Sequence, residues 1–116
     1  MSDQTTKRLL DALAACDAVD AFLARQSLQQ YKDNYGLRLQ IERLLEIIGE
    51  ALNQAELGDE HLRLTIPELG EIIGMRNRII HGYSVIDNEL IWSTATFRVP
   101  ELRAQLASLL GHDEPR

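Results

Sequence analysis

The chain has 116 residues, enough for one domain and too few for two. With 45% apolar and 26% charged residues it has the composition of a soluble globular protein, and its single cysteine, Cys16, excludes an internal disulfide framework and suits a reducing cytosol. A net charge of −6 argues against a general nucleic-acid binder.

The N-terminal segment MSDQTTKRLL lacks the apolar core of a signal peptide, and no apolar run approaches the length of a membrane span. The expectation is a cytoplasmic protein with no membrane contact. Residues 3–25 read as a first helix, with Leu9, Leu13, Cys16, Val19 and Leu23 on one stripe. Cys16 on that stripe is expected to be a packed thiol, and Asp11, Asp17 and Asp20 to form a mostly solvated face, with Asp20 close enough to the stripe to partner a buried arginine. Ser27 has the chemistry to cap a short turn through Tyr31. The clearest periodicity runs from about Asn34 to Leu57, through Leu37, Ile41, Leu44, Leu45, Ile48, Ala51, Leu52 and Ala55. Arg38 and Glu42 are spaced as an i,i+4 pair, and Gly58 is placed to stop the helix.

Residues 58–64 read as a polar connection with His61 at the surface. Thr65 and Glu68 have capping-box spacing, and Pro67 between them suits a first turn, so a third helix is predicted over about 66–81. Its apolar positions are Leu69, Ile72, Ile73, Ile79 and Ile80. Asp87 is placed to cap a short helix over about 88–97, and Pro100 to start a last one carrying Leu102, Leu106, Leu109 and Leu110. Residues 110–116, with His112, read as a frayed tail. No strand is predicted. The expected fold is all-α, a single domain over 1–116: an up-and-down bundle of four main helices plus a short extra helix.

Reactive polar chemistry concentrates in Arg76–Tyr83, RNRIIHGY. Arg76 falls near the middle of the apolar stripe of its helix. A guanidinium there needs a partner, either a carboxylate from another helix or an anion in a cleft. His81 lies five residues on, about 140° round a straight helix, so the two side chains do not share a face. Gly82 is the residue expected at a helix stop, where ideal angles fail, and a second copy of the chain could also bring the pair together. Gly70, Gly74 and Asn77 form a strip of small residues that suits close helix packing or the approach of a phosphate. An arginine fork, a histidine and a tyrosine suit phosphodiester chemistry, with the 2′-hydroxyl of RNA as nucleophile and no metal. The three histidines, 61, 81 and 112, have neither the Glu-x-x-His nor the His-Glu-x-x-His spacing of metal sites. The acidity is uneven. Residues 1–61 balance at −5 and residues 62–110 at zero, the latter with Arg76, Arg78, Arg98 and Arg103.

The segment IIGMRNRIIHGY resembles the motif of the HEPN superfamily, an arginine followed after four to six residues by a histidine, and its closing His-x-Tyr is similar to the HepT-like branch. The runs IERLLEIIGEALN, residues 41–53, and DNELIWSTATFRVPELRAQL, residues 87–106, are similar to the same branch. The resemblance covers about Tyr35 to Leu110. It implies a metal-independent ribonuclease with no cofactor, Arg76 and His81 catalytic, and Asn77 and Arg78 supporting them. It further implies a homodimer whose two motifs face one cleft on the RNA substrate. The implied partner is an MNT-type nucleotidyltransferase antitoxin that neutralises the toxin by adenylylating Tyr83. The plain chemical alternative for Tyr83 is a tyrosine packed over the helix end. The rival from another class is a non-catalytic dimeric helical interaction module that binds a nucleotidyltransferase. A third reading is a nucleotide-binding subunit that presents substrate to a transferase.

Overall fold

A computed structural model describes residues 1–82 and 87–111. Every regular element among them is helical: α1 (Asp3–Leu23), α2 (Leu28–Asp33), α3 (Tyr35–Gly58), α4 (Leu62–Thr65), α5 (Leu69–Ile80), α6 (Asn88–Ser93) and α7 (Val99–Leu110), with a π-helical turn over Thr94–Arg98. The four long helices are the four main helices expected. They pack as a bundle in which α3 lies against both α1 and α5, and α7 lies against α1. The body measures 41 × 37 × 19 Å. None of the described helices is long and apolar enough to cross a membrane.

The core forms where the predicted stripes meet. Ile41, Leu45, Ile48 and Leu52 of α3 are all fully buried, so α3 supplies four of the largest fully buried side chains. Each such burial stabilises by about 2 kcal/mol. Leu9, Ala12, Cys16 and Val19 of α1 have no exposed surface, and the small residues among them let the neighbouring helix come close. Burial pushes the Cys16 thiol up to about 12, so it is a packed thiol, as expected. Helix ends follow their cap residues. Ser2 Oγ accepts from the Thr5 amide, Asn34 Oδ1 from Leu37, and Asp87 Oδ1 from Glu89 and Leu90. Ser27 and Gln30 form a capping box that starts α2 and carries Tyr31 into the core, where its ring tilts against Trp92.

Several local expectations are corrected. Gly58 does not stop α3 through a left-handed turn. It is helical, and a Cβ there would lie 2.7 Å from Thr5 Oγ1, so the glycine serves the approach of α1. The connection after it is not merely polar. Leu62 and Ile66 are buried, and this draws the segment into the extra turn α4. Thr65 therefore ends α4, its hydroxyl donates to the His61 carbonyl, and α5 begins at Leu69 without the predicted capping box. Arg38 lies over the Tyr35 ring, 5.3 Å from its centroid, where an ion pair with Glu42 was expected, although its charge still lowers the Glu42 pKa against the larger raising effect of burial. Arg103 hydrogen-bonds Asp17, and burial raises the Asp20 pKa while the Arg103 charge lowers it, so an arginine does lie near Asp20.

At the C-terminal end, α6 and α7 are not separate helices with a break. The π turn joins them, and the Val99 amide reaches back to the Thr94 carbonyl. Pro100 explains this. It has no amide to donate and crowds the carbonyl four residues earlier, and a widened turn just ahead of it relieves both. The Thr94 and Thr96 hydroxyls bond back to the Leu90 and Trp92 carbonyls within the same stretch. Leu110 is still helical, and Gly111, at φ +73, closes α7. Residues 112–116, the rest of the predicted tail, lie outside the described residues, as does His112.

Candidate functional site

Helix α5 packs on α3 through Leu69, Ile72, Ile73 and Met75. Met75 is buried at a position the stripe did not include, whereas Ile80 is 43% exposed, so the cover over α5 ends before its C-terminus. Arg76 sits on the buried side at the point where α5 crosses Gly49 of α3. A Cβ on Gly49 would lie 2.3 Å from Arg76 Cβ and 2.8 Å from its Cγ. Only a glycine leaves room for the stem of the arginine there.

The guanidinium continues past that crossing to the rim of the fold. Its Nη2 donates to Glu50 Oε2 at 2.5 Å, and its Nη1 donates to Asn77 Oδ1 at 2.8 Å. The other oxygen of Glu50 accepts from Gln54 Nε2 at 2.9 Å. Arg76 is 23% exposed and Glu50 is 44% exposed. The two sequence readings of Arg76 are thus combined. It has a carboxylate from another helix, but that carboxylate is half in solvent and the pair lies open at the surface.

His81 caps α5. Its amide donates to the Asn77 carbonyl at 3.1 Å, and its backbone angles are still right-handed helical, φ −80 and ψ −6. The turn of about 140° from Arg76 therefore applies to its place on α5. The stop comes one residue later, at Gly82 with φ +59, as expected. Asn77 touches both motif residues, Arg76 through its side chain and His81 through its carbonyl. Arg78 is exposed on α5. Tyr83 lies outside the described residues.

The other arginines of this half are engaged elsewhere. Arg98 bonds Glu71 at 2.9 Å and Glu101 at 3.1 Å, and Arg103 bonds Asp17. Arg63 pairs with Glu56, and Arg76 and Arg78 are the arginines carried by α5 itself. Gly70 of the small-residue strip is covered by the Arg63 guanidinium, which would lie 2.6 Å from a Cβ, whereas Gly74 faces open space. Beside the site, an open groove of about 540 Å³ runs between α1 and α3, lined by Ala14, Ala15, Ala18, Leu44, Ile47 and Ala51 with Glu50 at its edge. Among the described residues no group of three or more His, Cys, Asp or Glu side chains is placed to hold a metal.

Gly49, Glu50 and Gln54 belong to the site and were not singled out as site residues from the sequence. One signal was present: Gly49 interrupts the apolar stripe of α3 inside an otherwise strong helix pattern, which marks a close packing contact. Nothing local says that the contact is Arg76.

The model of the family described as "Ribonuclease HepT-like" matches residues 12–109. Among curated proteins, the chain is 30% identical over 109 residues to "Putative RNase MJ1380" of Methanocaldococcus jannaschii, covering 91% of this chain and 97% of that one. It is 28% identical over 112 residues to "Putative RNase MJ1216" of the same organism, covering 91% and 90%. It is 27% identical over 101 residues to "Probable ribonuclease HepT" of Thermococcus cleftensis, covering 87% and 91%. No solved structure matches the chain at a significant level.

Proposed function

The chain belongs to the HepT-like ribonuclease family, and from that premise we propose that it is a metal-independent endoribonuclease, a single-domain cytoplasmic protein that acts as a homodimer and as the toxin of a toxin–antitoxin pair. The observation that carries this reading is the state of Arg76. It is held at the surface by Glu50 and Asn77, with donors left over for a phosphate. In the reaction, the 2′-hydroxyl oxygen of RNA attacks the adjacent phosphorus and gives up its proton. The bond from phosphorus to the 5′-oxygen breaks, and that oxygen takes up a proton. Arg76 meets the charge that grows on the non-bridging oxygens, and His81 moves the protons. The products are a 2′,3′-cyclic phosphate end and a 5′-hydroxyl end.

A homodimer supplies what one helix lacks. Arg76 and His81 are attached about 140° apart on α5, and two copies of α5 at one cleft offer an arginine and a histidine from different chains, with one imidazole as base and the other as acid. Gly74 gives a clean test, because a Cβ there meets nothing within 4 Å. Gly74→Leu is expected to leave the monomer fold intact, or to raise its stability by up to about 1 kcal/mol through helix propensity. It is expected to weaken the dimer by at least tenfold by overlap at the interface. Light scattering on both proteins checks this, and an unchanged dimer would place the interface elsewhere.

The partner in this reading is an MNT-type nucleotidyltransferase antitoxin that modifies Tyr83. The rival, a non-catalytic interaction module, draws on the Arg76–Glu50 pair, since an arginine satisfied within its own chain also serves a purely structural end. Incubating the purified chain with total RNA in EDTA separates the two. Cleavage that persists in EDTA and leaves 2′,3′-cyclic phosphate ends is expected. A requirement for Mg²⁺ would overturn the mechanism, and no cleavage under any condition would favour the module.

A further inference from the structure

We propose that Glu50 is the positioning residue for Arg76, acting through a seat that Gly49 leaves open on α3; its catalytic consequence rests on the ribonuclease reading above. Three observations converge. The stem of Arg76 crosses α3 where a Cβ on Gly49 would lie 2.3 Å from Arg76 Cβ and 3.4 Å from the Ile72 carbonyl oxygen. These atoms belong to the backbone and root of α5, not to a flexible tip, so they cannot yield without moving the helix. Glu50, the next residue on α3, takes Nη2 of the same arginine. Its second oxygen is held by Gln54, one turn further along α3. Gln54 therefore holds one oxygen of the carboxylate while the other meets the guanidinium.

Asn77 completes the frame from α5 by accepting from Nη1. Both terminal nitrogens are then tied to acceptors with fixed positions, and these define the plane of the guanidinium. A guanidinium carries five N–H donors, and this frame uses two of them. Nε–H and one hydrogen on each terminal nitrogen are left for a phosphate. A long side chain pre-ordered in this way gives up no rotamer freedom when the transition state forms, which is where positioning raises rate. Glu50 also lowers the net charge at the site. It should therefore favour the transition state without strengthening ground-state binding of RNA.

This separates positioning from two other roles for the same carboxylate. A carboxylate that only braces the fold affects stability and not turnover per folded molecule. A carboxylate that occupies the phosphate's place is an inhibitor, and its removal speeds the reaction. For a positioning residue, Glu50→Ala should lower kcat by about 10²-fold with KM unchanged or lower. Glu50→Gln should recover most of that loss, because an amide oxygen can still accept from Arg76 while Gln54 turns its own oxygen to the new amide. Gly49→Ala should lower kcat with Glu50 intact.

The deciding measurement combines these kinetics with nitrogen-15 NMR of the arginine side chains. Resolved Arg76 Nη signals, which need hindered rotation, are expected in the wild type and Glu50→Gln and should be lost in Glu50→Ala. Unchanged signals in Glu50→Ala, or an increase in its kcat/KM, would overturn the proposal. The NMR result stands whether or not RNA is cleaved. A wild type that orders Arg76 through Glu50 but cleaves nothing would refute the ribonuclease reading alone. If Gly49→Ala fails to fold by circular dichroism, the Glu50 pair still decides.

Discussion

Arg76→Ala and His81→Ala are each expected to cut RNA cleavage by about 10³-fold while leaving the protein folded. The loss at Arg76 is that of the forked donor on the phosphate, and the loss at His81 that of the proton carrier. Stability should hardly register either change. Glu50, the partner that Arg76→Ala abandons, is 44% exposed and keeps its water and its Gln54 bond. An ion pair at such an exposed rim is worth about 1 kcal/mol or less. The alanine retains the Cβ that packs on Gly49. His81 is exposed at the end of α5, where its contribution to the core is small. Arg76→Lys is informative beside them. Lysine keeps the charge and much of the stem, but it cannot bond Glu50, Asn77 and a phosphate in one plane. Its activity should lie near that of alanine. Cleavage rates with thermal melts on the same preparations check all three. Either alanine variant retaining a tenth or more of wild-type activity would remove that residue from the catalytic role.

Under the proposed function, Tyr83→Phe is expected to make the protein immune to a nucleotidyltransferase antitoxin. Gly82, with φ +59, ends α5 one residue before Tyr83. The reaction proposed there has the tyrosine oxygen attack the α-phosphorus of ATP, releasing pyrophosphate and leaving AMP on the side chain. Each AMP brings a phosphodiester charge close in sequence to Arg76, Arg78 and His81. It would compete with RNA for the same cations. Phenylalanine keeps the ring and removes only the attacking oxygen, so fold and cleavage should survive. Intact-mass spectrometry after incubation with the nucleotidyltransferase and ATP reads the outcome. A gain in AMP units on the wild type, absent from Tyr83→Phe, is required. Equal modification of both proteins would exclude Tyr83 as the acceptor. A tyrosine that only packs over the helix end predicts neutralisation of both alike.

What the sequence determined by itself was what neighbours in the chain decide. Helical periods, cap residues and the left-handed glycine at position 82 act within one or two turns, so Ser27, Asp87 and Gly82 could be read directly. So could the burial of Cys16 and the α3 stripe, because a stripe of apolar residues has only one favourable place to go. The motif was legible because its residues lie within one stretch of chain.

Tertiary structure decided the rest, wherever two distant segments set the outcome. Burial of Leu62 and Ile66 made a helical turn where local polarity suggested a loop. Gly58 and Gly49 are glycines because another helix crosses them, and propensity cannot reveal which helix that is. The Arg76–Glu50 pair joins residues 26 positions apart on helices that meet only after the core has formed. A periodicity can say that Arg76 needs a partner. Only the crossing of α5 over α3 says which carboxylate it is, and that this carboxylate remains nearly half in solvent.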